Sequence, residues 1–99
     1  MNKYTVELYK DGRRVDVQTT NEEGWAKCSV EIDGYTYGVE VQIKEFEPPY
    51  CDEATATFST INLKSIPYSI ILDTGYGLAF WDSDLRVDTG VVVRRVGAE

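Results

Sequence analysis

The chain contains no histidine, which removes imidazole acid–base catalysis and the histidine-containing zinc sites from consideration. Cysteine is scarce, with Cys28 and Cys51 as the only two. A single disulfide between them is conceivable. The stretch Met1-Asn2-Lys3-Tyr4 carries no secretory signal, so two reduced thiols are expected, Cys28 as a small core residue. No apolar run approaches the roughly 20 residues of a membrane span. Positive charge is also short: ten basic residues stand against seventeen acidic ones, a net charge of −7. That balance opposes sequence-independent binding to nucleic acid or to an anionic membrane and favours a basic or neutral protein partner. Amphipathic helices, internal repeats and low-complexity linkers are absent from the pattern. No cofactor is implied.

What the chain has is alternation. Its 99 residues make one domain, residues 1–99, and its Tyr, Val, Ile and Thr content favours pleated sheet. From Trp25 onward, Ala26, Cys28, Val30 and Ile32 alternate with Lys27, Ser29 and Glu31. After Asp33-Gly34 the alternation resumes, with Tyr35, Tyr37, Val39, Val41 and Ile43 on one face and Thr36, Gly38, Glu40, Gln42 and Lys44 on the other. Period two with an Asp-Gly pair between the runs predicts a hairpin. Tyr4, Val6 and Leu8 begin a similar hairpin through Lys10-Asp11-Gly12-Arg13, with Val15 and Val17 expected in the core and Asp16 and Gln18 in solvent. Trp25 shares parity with Lys27 and is expected on the outer face or at the sheet edge.

Further on, Glu47-Pro48-Pro49 stops the strand before it and predicts a crossover or an edge. Even positions look inward from Ala54 to Phe58, whereas Ile61 and Leu63 are odd, so a β-bulge is expected near Ser59 or Thr60. Strands follow over Ile66–Leu72, Leu78–Trp81 and Leu85–Val87, then Gly90 interrupts and Val91–Val96 ends the chain. Arg94 and Arg95 close that last strand as edge protection. About seven or eight short antiparallel strands with Gly, Asp, Asn or Pro between them predict an all-β sandwich.

The ordered set Val6-Glu7-Leu8-Tyr9-Lys10-Asp11-Gly12, Val15, Thr19-Thr20-Asn21-Glu22-Glu23-Gly24-Trp25 and Tyr35-Thr36-Tyr37-Gly38-Val39-Glu40-Val41 resembles the prealbumin-like sandwich domains. These include collagen-adhesin B-type repeats and carboxypeptidase regulatory-like domains. The resemblance spans roughly residues 4 to 43 and implies an Ig-like or prealbumin-like fold and a stalk, spacer or binding role without catalysis. Some adhesin repeats carry a Lys–Asn isopeptide bond. Here Lys3 and Lys10 flank the first strand and the only late asparagine, Asn62, is mid-chain, so no such bond is expected.

Three features could carry chemistry. Asp73-Thr74-Gly75 and Asp88-Thr89-Gly90 mimic the aspartic-protease loop, but too little chain separates or follows them for either a two-lobed or a dimeric enzyme, and both are read as ordinary turns. Asp82, Asp84 and Asp88, with Asp73 near, are weak calcium candidates against the plainer reading of a solvated acidic turn, so no metal is expected. Trp25, Tyr50, Tyr76 and Trp81 sit in or beside turns, with Tyr9 and Tyr68 as possible additions. They are candidate interface anchors, weighed against a role in covering the ends of a sandwich. The turns of the second half are the expected location. The expected function is therefore that of a non-enzymatic protein-binding or structural module. Alternatives are a small acidic phage-encoded inhibitor, an anti-defence protein that fills a basic nucleic-acid channel, and a virion or tail assembly domain. Cytoplasmic location is expected for the chain as written, and an extracellular or virion location if it belongs to a larger particle.

Overall fold

The alternating runs become eight strands in this computed structural model, which describes residues 3–47, 49–59, 65–71, 77–82 and 86–96. They are β1 (Tyr4–Lys10), β2 (Arg13–Thr19), β3 (Trp25–Ile32), β4 (Tyr35–Lys44), β5 (Glu53–Ser59), β6 (Ser65–Ile71), β7 (Gly77–Asp82) and β8 (Val87–Arg95). All pairing is antiparallel, in one sheet ordered β2-β1-β8-β7 and a second ordered β3-β4-β5-β6. Sequence neighbours are spatial neighbours. The chain changes sheets only between β2 and β3 and between β6 and β7, and β8 returns beside β1. This is an up-and-down order, not the Greek-key connectivity of Ig-like sandwiches.

One core joins the two sheets. Tyr4, Val6, Leu8, Val87, Val91 and Val93 from the first meet Cys28, Tyr37, Val39, Val41, Ala54, Ala56 and Phe58 from the second. Each fully buried Val, Leu or Phe contributes about 1.5–3 kcal/mol by leaving water. The Tyr37 hydroxyl lies 3.0 Å from Thr89 Oγ1, a buried bond that ties the sheets through the core. The Cys28 thiol donates to the Val6 carbonyl at 3.2 Å. Burial first, and the Asp16 carboxylate second, push its pKa up to about 11. Cys51 is exposed and both thiols are free.

Two turns follow the expected chemistry. Asp11 and Gly12 have φ of 49° and 80°, and Asp33 and Gly34 have 49° and 82°, the doubly positive geometry that closes two-residue hairpins. Between the hairpins, Asn21 Oδ1 accepts from the amides of Glu23 and Trp25 at 2.9 and 3.0 Å, and Gly24 takes φ of 81°.

Several expectations are overturned. Val15 and Val17 are not in the core; they are 39% and 46% exposed. Leu8 pairs with Asp16 while Tyr9 pairs with Arg14, so Val15 is the extra residue of a β-bulge. The one-residue slip turns Val17 to the outer face, opposite Glu7, and carries Asp16 inward. Asp16 is half-buried at the gap between β2 and β3. Its Oδ1 accepts from the Val17 amide at 2.9 Å and Gln18 Nε2 at 3.2 Å, and its Oδ2 accepts from the Ser29 amide at 2.9 Å. Gly90 does not interrupt a strand, because Val87–Arg95 is continuous. Arg94 and Arg95 do not protect an edge, because β8 lies between β1 and β7. The stop after β4 leads to no crossover or edge either: β4 and β5 are adjacent inner strands of the second sheet. Of the bulge expected near Ser59 or Thr60, Ser59 shows none, pairing in register with Gly38 and Ser65, while Thr60, Ile61, Asn62 and Leu63 lie outside the described residues.

Candidate functional site

Long-range side-chain bonds build one end of the molecule. The Tyr4 ring is 3% exposed at the start of β1, and its backbone exchanges bonds with Thr20: Tyr4 N donates to Thr20 Oγ1 at 3.1 Å and Thr20 N to Tyr4 O at 2.9 Å. This fixes the phenol, which donates to Asp52 Oδ2 at 2.6 Å. The other oxygen of Asp52 accepts from the Phe46 amide at 3.1 Å, so one carboxylate holds both sides of the 45–52 loop. Burial, then the Asp52 hydrogen bond, raise the Tyr4 pKa far above that of a free phenol. The Tyr50 amide donates to the Glu47 carbonyl at 3.0 Å and closes a turn inside the loop.

The loop so anchored presents aromatic surface. Tyr50 is 74% exposed and Phe46 is 38% exposed. Lys44 Nζ lies 5.2 Å from the Phe46 ring centroid, a cation–π contact at the surface. Trp25 begins β3 opposite Gln42, on the outer face as its parity predicted, and is 37% exposed. Lys44 follows Gln42 by two positions on that face. The Gly24 carbonyl accepts from the Ile43 amide at 2.8 Å, so the Trp25 turn and the base of the loop share this end.

The expected site residues divide between the ends. Trp25 and Tyr50 lie at the end where β1 starts. Trp81 pairs with Asp88, whose carbonyl accepts from the Asp11 amide at 2.8 Å, so its backbone lies at the end where β1 finishes. The seven residues of β1 place those ends about 20 Å apart. Tyr50, Trp81 and Asp88 therefore do not gather at one set of turns. Tyr76, Asp73 and Asp84 lie outside the described residues, as do the side chains of Tyr68, Trp81 and Asp82. Asp88-Thr89-Gly90 is not a turn: it lies within β8, with Thr89 buried. Among the described residues no group of three or more Cys, Asp or Glu side chains is placed to hold a metal ion.

Sequence reasoning missed the Tyr4–Asp52 bond and a second cluster on the outer face of the first sheet. Glu7 points outward yet is 6% exposed. Its Oε1 accepts from Arg14 Nη1 at 3.1 Å and from the Tyr9 hydroxyl at 3.4 Å, and its Oε2 accepts from Arg94 Nε at 2.9 Å. Burial alone would raise its pKa, but the bonds from Arg94 and Arg14 outweigh it and hold the carboxyl below its ordinary value. The partners are 7 and 87 residues away in sequence, and only the pairing of β1 with β2 and β8 brings them together. Phe46 stands at an even position after the odd-numbered inward row Tyr37, Val39, Val41 and Ile43, the one local sign that this loop turns an aromatic ring outward.

No protein-family model, curated protein or solved structure matches the chain.

Proposed function

We propose that this chain is a non-enzymatic module that works by contact with another protein, through the end that carries Trp25, Phe46 and Tyr50. The observation that carries the reading is Tyr50, 74% exposed on a loop pinned by both oxygens of Asp52. An aromatic ring held out on an ordered loop loses little conformational entropy on docking, and such rings commonly anchor interfaces. The absence of histidine and the placement of one Asp-Thr-Gly inside a strand support the non-enzymatic part. As a finer fold assignment we propose a sandwich that shares hairpin signatures with prealbumin-like domains over residues 4 to 43 and has an up-and-down strand order in place of the Greek-key connections of Ig-like domains.

A second reading, the acidic inhibitor of a basic surface, draws support from charge placement. Acidic groups concentrate in residues 20–59, where Lys27 and Lys44 are the only cations.

A photoreactive phenylalanine at position 50, compared with one at position 17, tests the contact reading. Irradiation in an extract of the source cell is expected to give a discrete protein adduct from position 50, lost when Trp25→Ala is added. Equal adducts from both positions, or none, would overturn it. An adduct that disappears at high salt favours the basic partner of the second reading.

A further inference from the structure

The opposite end of the molecule holds a cleft of about 430 Å³ lined by Lys10, Asp11, Arg13 and Val15. The bulge supplies part of its lining: Val15, expelled from the ladder, is an exposed apolar side chain beside the β1–β2 turn. Asp11 is held in place by the Asp88 backbone, since its Oδ1 accepts from the Asp88 amide at 3.1 Å while its own amide donates to the Asp88 carbonyl, and its charge stays in the lining. Lys10 and Arg13 form no ion pair among the described residues. The lining thus joins one apolar side chain, Val15, to the two cations Lys10 and Arg13 and the one carboxylate of Asp11, so its charge is positive on balance, and it has room for an aromatic ring given that a water molecule occupies about 30 Å³.

The complement of that cleft is on the same chain. The 45–52 loop carries Tyr50, 74% exposed, with Glu47 three residues before it and bonded to it through the backbone. We propose that the cleft receives the 45–52 loop of a second copy of this chain, with Tyr50 against Val15 and the Glu47 carboxylate between Lys10 and Arg13. This deepens the contact reading above and rests on it, because the same loop is the contacting element. Knob and cleft lie at opposite ends of β1, about 20 Å apart, so a chain does not fill its own cleft. The contact is heterologous, and a heterologous contact that does not close into a ring propagates as a row of copies. A net charge of −7 repels copies at long range, so the local match of Glu47 with Lys10 and Arg13 sets which ends meet.

Sedimentation velocity over a concentration series at low salt tests this with four proteins. The wild-type chain is expected to show a mass that rises with concentration. Lys10→Glu/Arg13→Glu, with a dead cleft, and Glu47→Lys/Tyr50→Ala, with a dead loop, are each expected to associate at least about tenfold more weakly. An equimolar mixture of the two variants is expected to form a dimer and stop there, because the remaining cleft and loop are both disabled. The triple variant Lys10→Glu/Arg13→Glu/Glu47→Lys, with both charges exchanged and Tyr50 kept, is expected to associate again. Arg13, Glu47 and Tyr50 are exposed and Lys10 is half-buried, and circular dichroism with urea midpoints checks that each variant folds. A wild-type chain monomeric at every concentration, cleft variants that associate like wild type, or a mixture that fails to pair would each overturn the proposal. If the wild-type chain is monomeric while position 50 still captures a different protein, the contact reading stands and the second-copy inference falls.

Discussion

The two leading hairpins are built from the same instructions and come out differently. Both close on Asp-Gly with two positive φ values, and both run in alternating apolar and polar residues. In β3–β4 the ladder is regular from Ile32↔Tyr35 to Trp25↔Gln42, and Ala26, Cys28, Ile32, Tyr37, Val39, Val41 and Ile43 are all buried. In β1–β2 one residue is inserted opposite the ladder, and the apolar pair Val15 and Val17 ends up outside. A turn motif therefore fixes where a hairpin reverses, but the face of each residue depends on a register that one bulge can invert.

The contrast is broken most directly by one substitution made at both sites. Val39→Lys places an ammonium group at a fully buried position with no acidic partner, at an expected cost on the order of 4 kcal/mol. Val17→Lys, on the outer face opposite Glu7, is expected to fall within about 0.5 kcal/mol of wild type. Urea denaturation reads both. Similar costs at the two positions would mean that Val17 faces the core and the bulge does not exist.

Glu7→Gln is next in size. It removes the charge that Arg14 and Arg94 share, and an expected loss of about 2 kcal/mol at neutral pH follows from the usual worth of charged hydrogen bonds. The pH dependence has a defined sign. The folded pKa of Glu7 lies below its unfolded value, so the stabilisation is complete above the unfolded pKa and is lost as pH falls through the lowered folded one. The stability gap between wild type and Glu7→Gln is therefore expected to close on acidification. A gap that is unchanged from pH 7 to pH 2 would show that the carboxylate charge contributes nothing.

Asp16→Ala tests the other product of the slip, the carboxylate that joins the free edges of β2 and β3. It leaves the Ser29 and Val17 amides without their acceptor at two strand edges. The site is only half-buried and water replaces part of the bonding, so the expected cost is about 1 kcal/mol. Exposed edge amides also invite pairing between chains, so faster aggregation during refolding is expected as well. Wild-type stability together with wild-type solubility would remove Asp16 as a link between the sheets.

These cases show how far the residues could be read in advance. Strands, Asp-Gly turns and the inward rows of β1, β3, β4 and β5 follow from period two and turn chemistry, which are local. The Val15 bulge was hidden because Arg14-Val15-Asp16-Val17 alternates correctly for the wrong register. The Tyr4–Asp52 and Glu7–Arg94 contacts span 48 and 87 residues, and nothing in a linear pattern signals them. Trp25 was placed correctly because its parity is local. Phe46 was missed as a site residue because its exposure depends on Asp52 holding the loop from the far side.

The smallest expected effect gives the strictest test of the comparison. Deleting Val15 removes the bulged residue and leaves Arg14 opposite Tyr9 and Asp16 opposite Leu8, the same pairs the structure already makes. No other side chain changes face. A deletion inside a strand is ordinarily ruinous, because every residue on one side of it turns over. Here the expected change in stability is within about 0.5 kcal/mol, the range of surface changes away from special features. The matched deletion of Val30, opposite Tyr37 in the regular hairpin, would turn either Ile32 or Ala26 and Cys28 out of the core, and is expected to abolish folding. If both deletions unfold the chain, β1–β2 is as regular as β3–β4 and the outward position of Val17 needs another cause. If only the Val30 deletion does, the bulge is an insertion that the sheet carries at little cost, and the placing of Val15 in the cleft beside Lys10 and Arg13 asks nothing of the ladder.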